Sequence, residues 1–169
     1  MLPARTHRAA IIVAYKLVHA SIVDGLRLCE CEWHWYAHND MDRLESIVKK
    51  ARDNGARNVG IVTESVFSMD GHRAPIKEIV ELKQRYGCKI YLDEAHAFGV
   101  YGQNGMGLAA EYGLDSQIDI MVATLGKAMV SVGGFAIMDN CVRELMINRM
   151  RPLIFSTALA PVNILWSKY

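Results

Sequence analysis

No stretch of this chain is apolar for long enough to cross a bilayer. The longest apolar run near the start, AAIIVAY, is far shorter than the roughly 20 residues a membrane helix needs, and the layout of a signal peptide is missing too. Charge of one sign is also lacking. Nineteen Lys and Arg face 18 Asp and Glu, for a formal net charge of +1, and no basic stripe points to nucleic acid or an anionic membrane as a partner. Cysteine is sparse. Cys29, Cys31, Cys88 and Cys141 form no spaced disulfide framework, which suits a reducing compartment, and the chain reads as cytoplasmic. Repeats, low-complexity tracts and linkers are absent as well. What remains is a length of 169 residues, 51% of them hydrophobic, enough for one globular domain with a real core.

The segment CECEWHWYAH brings Cys29, Cys31, His34 and His38 together, and such clusters can bind zinc. Finger spacing is missing, however, and Trp33, Trp35 and Tyr36 read as packing residues, so no metal is expected. Further on, helix-like and strand-like segments alternate. Asn39 or Asp40 can cap a helix whose apolar positions Met41, Leu44, Ile47, Val48 and Ala51 follow helical spacing, with Lys49, Lys50 and Arg52 near its negative end and Gly55 as its stop. NVGIVTES is short and β-branched, a buried strand. A second helix starts near Pro75, carries Ile76, Ile79, Val80 and Leu82, and ends before Gly87. KIYLDEAH and IDIMVAT read as further strands, and GGFAIM as a fourth. Strands separated by helices imply an α/β fold, a mostly parallel sheet with helices on both faces. The link to GGFAIM is too short for a crossover, so that strand is expected to run antiparallel.

Sheets of this kind bind ligands beyond the carboxyl ends of their strands. The polar residues there are Thr63, Glu64 and Ser68, then Asp93 and His96, then Thr124 and Lys127. A lysine can form a Schiff base with an aldehyde, and a carboxylate can keep a pyridinium nitrogen protonated. Pyridoxal phosphate requires both. Alone, Lys127 in its Gly/Ala loop reads as a solvated surface residue, and Asp93 and His96 as a cap and a satisfied histidine. A competing match, Gly105, Gly107 and Ala110 of GQNGMGLAA to G-x-G-x-x-A, lies too far past its strand for a dinucleotide-binding turn.

The segments LVHASIVDGLRL, HNDMDRLE, TESVFSMDGHRAPI, YLDEAHAFGVYGQNGMG, ATLGKAMVSVGG and RPLIFSTALAP, in this order, resemble the α-oxoamine synthases, fold-type I pyridoxal-phosphate (PLP) enzymes. The resemblance runs from about Ile11 to the last residue. It implies that Lys127 carries the cofactor and moves the α-proton of the bound amino acid, Asp93 pairs with the pyridinium nitrogen, and His96 hydrogen-bonds the phenolic oxygen. His19 would stack on the ring, Ser68 would contact the cofactor and Thr124 would reach its phosphate. The implied partners are an amino acid and an acyl-CoA or acyl-carrier-protein thioester. HND, FSMDG, SVGGFAI and FSTAL are most similar to the branch that joins L-alanine to a pimeloyl thioester. The branch that joins glycine to acetyl-CoA stands close behind.

Two positions depart from the family wording. Tyr15 stands where an aspartate is common, and Val130 where a small residue is usual. Complete family members are more than twice as long, with a phosphate-cradling loop upstream and a C-terminal domain downstream, and they form homodimers. Residues 1–169 are therefore expected to be a partial PLP-binding large domain. By itself such a piece is expected to hold the cofactor weakly and to be catalytically inert.

Overall fold

The computed structural model describes residues 10–168. Of the run AAIIVAY, Ala9 lies outside the described residues and the rest forms β1 (Ala10–Tyr15). The chain continues through α1 (Ala20–Arg27), β2 (Glu32–Tyr36), α2 (Met41–Asp53), β3 (Asn58–Glu64), α3 (Ile76–Tyr86) and β4 (Lys89–Asp93). Then follow α4 (Leu108–Glu111), β5 (Ile120–Thr124), β6 (Gly134–Met138), α5 (Asn140–Arg149), α6 (Arg151–Ile154) and α7 (Pro161–Lys168). The six strands form one sheet in the order β2-β1-β3-β4-β5-β6. All neighbours are parallel except β5 and β6, as the short connection to GGFAIM requires. No helix among the described residues is long and apolar enough to cross a membrane.

Alternation along the strands sorts side chains onto two faces. On one, Val13, Val59, Ile61, Ile90 and Leu92 pack with Leu44, Ile47 and Val48 of α2 and Ile76, Ile79 and Val80 of α3. On the other, Ile12, Ala14 and Val62 meet Leu26 of α1. Helix α2 is capped as its sequence suggests, Asp40 accepting the Arg43 N–H at 2.8 Å. Arg52 does more than sit near the negative end. Its guanidinium donates to the carbonyls of Ala56, Arg57, Tyr86 and Gly87 at 2.7–2.8 Å, tying the ends of α2 and α3 together.

The parallel strands all end at the same edge, and α2 and α3 leave from it. Glu64 pairs with Asp93 across β3 and β4, and Thr124 pairs with Gly134 across β5 and β6. This edge carries the site.

Candidate functional site

Four adjacent strands bring the candidate residues to this edge. After β1 the chain turns into α1 at His19, whose ring Nδ1 accepts the Ser21 N–H at 3.2 Å and lies 2.8 Å from the Ser21 hydroxyl. Glu64 ends β3, almost wholly buried, and accepts the backbone N–H of His19. Asp93 ends β4 and accepts the Ala95 N–H at 2.9 Å, which turns the chain so that His96 follows within the same edge. Lys127 lies exposed in the loop after β5.

These groups act on one another electrostatically. Burial pushes the Glu64 carboxyl up, Asp93 adds to the shift, and the His19 N–H, the His19 ring and the Lys127 cation oppose it. Burial, and then the Lys127 cation, hold His96 below the ordinary histidine range against the pull of Asp93. His96 is therefore neutral near pH 7, with one N–H to donate and one nitrogen to accept. Beside these groups, under α5 and α6, lies a cavity of about 710 Å³ lined by Ser21, Asp93, Thr124, Phe135, Met146 and others.

The loop holding Lys127 is fastened at both ends. The Thr124 hydroxyl donates to the Gly133 carbonyl at 3.2 Å and accepts the Gly126 N–H at 3.1 Å. Leu125 and Ser131 add backbone hydrogen bonds across the loop at 2.9 Å. From outside, Trp166 of α7 donates to the Met129 carbonyl at 3.0 Å. The loop also presses on the segment after β4: a Cβ at Gly99 would lie 2.6 Å from that of Ala128, so only glycine allows this approach. Val130 has φ of 49°, a left-handed conformation that a β-branched residue adopts only under strain. This is the physical cost of the departure from a small residue at that position.

Two expected residues are placed differently from the rest. Ser68 lies exposed at the tip of the excursion closed by the Val66–Arg73 bridge, and no side-chain hydrogen bond among the described residues joins it to the Lys127 cluster. Thr124 is at the edge as expected, but its hydroxyl is engaged in closing the loop. The zinc grouping does not form either. His34 bonds Glu32 at 2.9 Å, while His38 meets the buried Tyr15 hydroxyl through Nδ1 and His72 at 3.1 Å through Nε2. Tyr15 packs on Phe67 with ring centroids 4.2 Å apart, so the phenol that replaces the family's aspartate is a satisfied core group.

The sequence reading missed Glu94. It is fully buried, and its carboxylate accepts the N–H groups of Ala109 at 2.8 Å and Leu108 at 3.1 Å. The glycine-rich segment GQNGMGLAA thus opens onto a carboxylate of its own chain, and Gly107 is glycine because a Cβ there would lie 2.8 Å from the Glu94 carboxyl carbon. No spacing signals this. Glu64, by contrast, was visible as a charge ending an apolar strand, an anomaly that asks for a partner.

A mostly parallel sheet with a lysine loop, a carboxylate and an imidazole on the ends of its central strands is the frame of a known family. The match to the family described as aminotransferase class I and II extends over residues 3–166, and the chain belongs to that family. Within it, the likeness is to α-oxoamine synthases. A protein of Pasteurella multocida (strain Pm70) with the provisional name 8-amino-7-oxononanoate synthase is 49% identical over all of this chain, which spans 44% of that relative. The solved 8-amino-7-oxononanoate synthase from Francisella tularensis is 31% identical with a TM-score of 0.77, over 94% of this chain and 44% of its own. Serine palmitoyltransferase from S. paucimobilis, in a structure that holds PLP joined to myriocin, is 32% identical with a TM-score of 0.86, over 94% of this chain and 40% of its own. The chain thus spans less than half the length of the relatives it matches.

Proposed function

We propose that this chain forms the PLP-holding part of an α-oxoamine synthase that condenses L-alanine with a pimeloyl thioester, releasing carbon dioxide and giving 8-amino-7-oxononanoate. The observation that carries the reading is the convergence of Lys127, Asp93, His96 and His19 on the ends of neighbouring strands, within electrostatic reach of one another. The likeness to named 8-amino-7-oxononanoate synthases supports the choice of substrates.

The donor set fits the cofactor. An amine suits its aldehyde, a half-buried carboxylate its pyridine nitrogen, a neutral imidazole with an N–H its phenolic oxygen, and the exposed ring of His19 its flat face. When bound, pyridoxal phosphate supplies an electron sink for the pair left on the amino acid's α-carbon. The Asp93 carboxylate would face the pyridine nitrogen and hold a proton there. His96 would donate its N–H to the phenolic oxygen. Lys127 would hold the cofactor's aldehyde, and its Nζ would take a proton from the amino acid's α-carbon and return one to it. Thr124 and its hydrogen bonds hold the loop that carries Lys127. Ser68 would contact the cofactor as well. The working enzyme is cytoplasmic and a homodimer. The exposed Phe155, Ile164, Leu165 and Trp166 on the outer C-terminal segment suit a protein partner.

Borohydride reduction of the PLP-loaded intact protein, followed by peptide mapping, should tag Lys127. A tag on another lysine would remove the assignment. Turnover should be much faster with L-alanine and a pimeloyl thioester than with glycine and acetyl-CoA; the reverse order moves the protein to the glycine branch, and no turnover in the tagged protein marks an inert scaffold.

A further inference from the structure

Glu64 has no task in the chemistry above, yet it is 3% exposed and sits at the centre of the site. Its carboxylate accepts the N–H of His19 across the sheet. His19 is the N-cap of α1, with φ of −53° and ψ of 146°, at the point where the chain leaves β1. Backbone N–H groups at a helix start have no partner within the helix. This one is tied to the neighbouring strand instead. Ser21 fixes the imidazole from the other side through its N–H and hydroxyl, so backbone and ring are held at separate points. Glu64 also pairs in register with Asp93. A tie from Glu64 to His19 therefore sets the imidazole at a fixed distance from the carboxylate that would face the pyridine nitrogen.

We propose that Glu64 is a positioning residue, whose hydrogen bond to the His19 backbone places that ring against the face of the cofactor. The inference rests on the function proposed above. Burial raises the Glu64 carboxyl pKa, with Asp93 adding and the His19 and Lys127 charges opposing, so an acceptor is kept here in spite of desolvation.

Two substitutions separate the bond from the charge. Glu64→Gln keeps an oxygen of the same reach and loses the charge, whereas Glu64→Asp keeps the charge and falls short by one methylene. In the intact protein, PLP affinity is measured by titrating the visible band of the lysine-bound cofactor, with its induced circular dichroism as the report on ring environment. Exchange of the His19 amide hydrogen reads the tie directly. Glu64→Asp should raise the PLP dissociation constant about three- to tenfold, the range expected when an aromatic stack is lost, alter the dichroism and speed exchange at His19. Glu64→Gln should stay within about twofold of wild type. His19→Ala should match Glu64→Asp, and the double variant should be no worse than His19→Ala, because both act through one ring. Glu64→Asp that behaves as wild type, Glu64→Gln that behaves as Glu64→Asp, or additive losses in the double variant would each overturn the inference. A wild-type protein that takes up no PLP would sink the proposed function, and this inference with it.

Discussion

Replacing Glu94 by alanine tests how much of this edge hangs on one carboxylate. Its two oxygens satisfy the N–H groups of Leu108 and Ala109 at 3.1 and 2.8 Å, in a place with no solvent access. Each donor left unsatisfied costs about 1–3 kcal/mol, and the vacated volume adds to that. The expected loss is about 3–5 kcal/mol, a large share of the roughly 5–15 kcal/mol that holds a domain folded. At about 2–4 °C per kcal/mol for a chain of this size, thermal unfolding followed by near-ultraviolet circular dichroism should shift down by about 6–20 °C. Glu94→Gln, which keeps one acceptor, should fall about half as far. Gly107→Ala attacks the same contact from the other side: its φ of 104° is nearly closed to other residues, and its new Cβ would meet the Glu94 carboxyl carbon at 2.8 Å. In the Glu94→Ala background the collision is gone, so Gly107→Ala should cost less there than in wild type. An unchanged midpoint for Glu94→Ala, or strict additivity of the two changes, would refute the reasoning.

Other changes should be read more simply. Arg52→Ala removes four hydrogen bonds to carbonyls at the ends of α2 and α3 and should lower stability by about 2–3 kcal/mol in urea unfolding; Arg52→Lys should recover little, since an ammonium cannot fork to four acceptors. Val130→Gly releases a β-branched residue from φ of 49° at an exposed position, worth about 1–2 kcal/mol against a similar gain in unfolded-chain freedom, so the melting temperature should hold or rise, where a drop beyond about 4 °C would contradict the strain. Burial works to raise the Asp119 carboxyl, but Lys83 at 2.7 Å, Lys89 at 2.8 Å and the Ile90 N–H prevail and hold it below the usual range. Its stabilisation is thus present above the unfolded-state pKa of about 3.9 and lost as pH falls through the lower folded value. Urea midpoints from pH 5 downward should fall more steeply for wild type than for Asp119→Asn.

The elements with clean periods were legible in the sequence. Helices α2 and α3 follow their apolar spacing to within a residue or two, and β3, β4, β5 and the reversed β6 lie where their apolar runs predict. Two strands were not foreseen. AIIVAY is apolar but too short to span a bilayer, and it forms β1 beside the edge strand; EWHWY holds residues that could ligate a metal, yet its alternation is that of the edge strand β2. Helix α1 was hidden by its Gly25, and α5 to α7 have no buried residue to print a period. Asp93 at the end of β4, and His96 and Lys127 in the loops after β4 and β5, lie where the sequence places them, because strand ends are predictable places for polar groups. Glu94 could not be foreseen, since its partners are backbone amides 14 and 15 residues away, and backbone amides leave no mark in a sequence.

Because β1 to β5 are all parallel, each joint between them closes only after a crossover has been completed, and the residues from His19 to Lys127 meet only when all the central joints are made. Such non-local pairing is slow to form. The proposed cofactor site would then be among the last features of the molecule to exist, and a ligand that recognises it would bind finished chains alone. During refolding, pyridoxal phosphate should act late, shifting the final balance toward the native state by mass action while leaving the early rates untouched. Its uptake becomes a clock for the completion of folding.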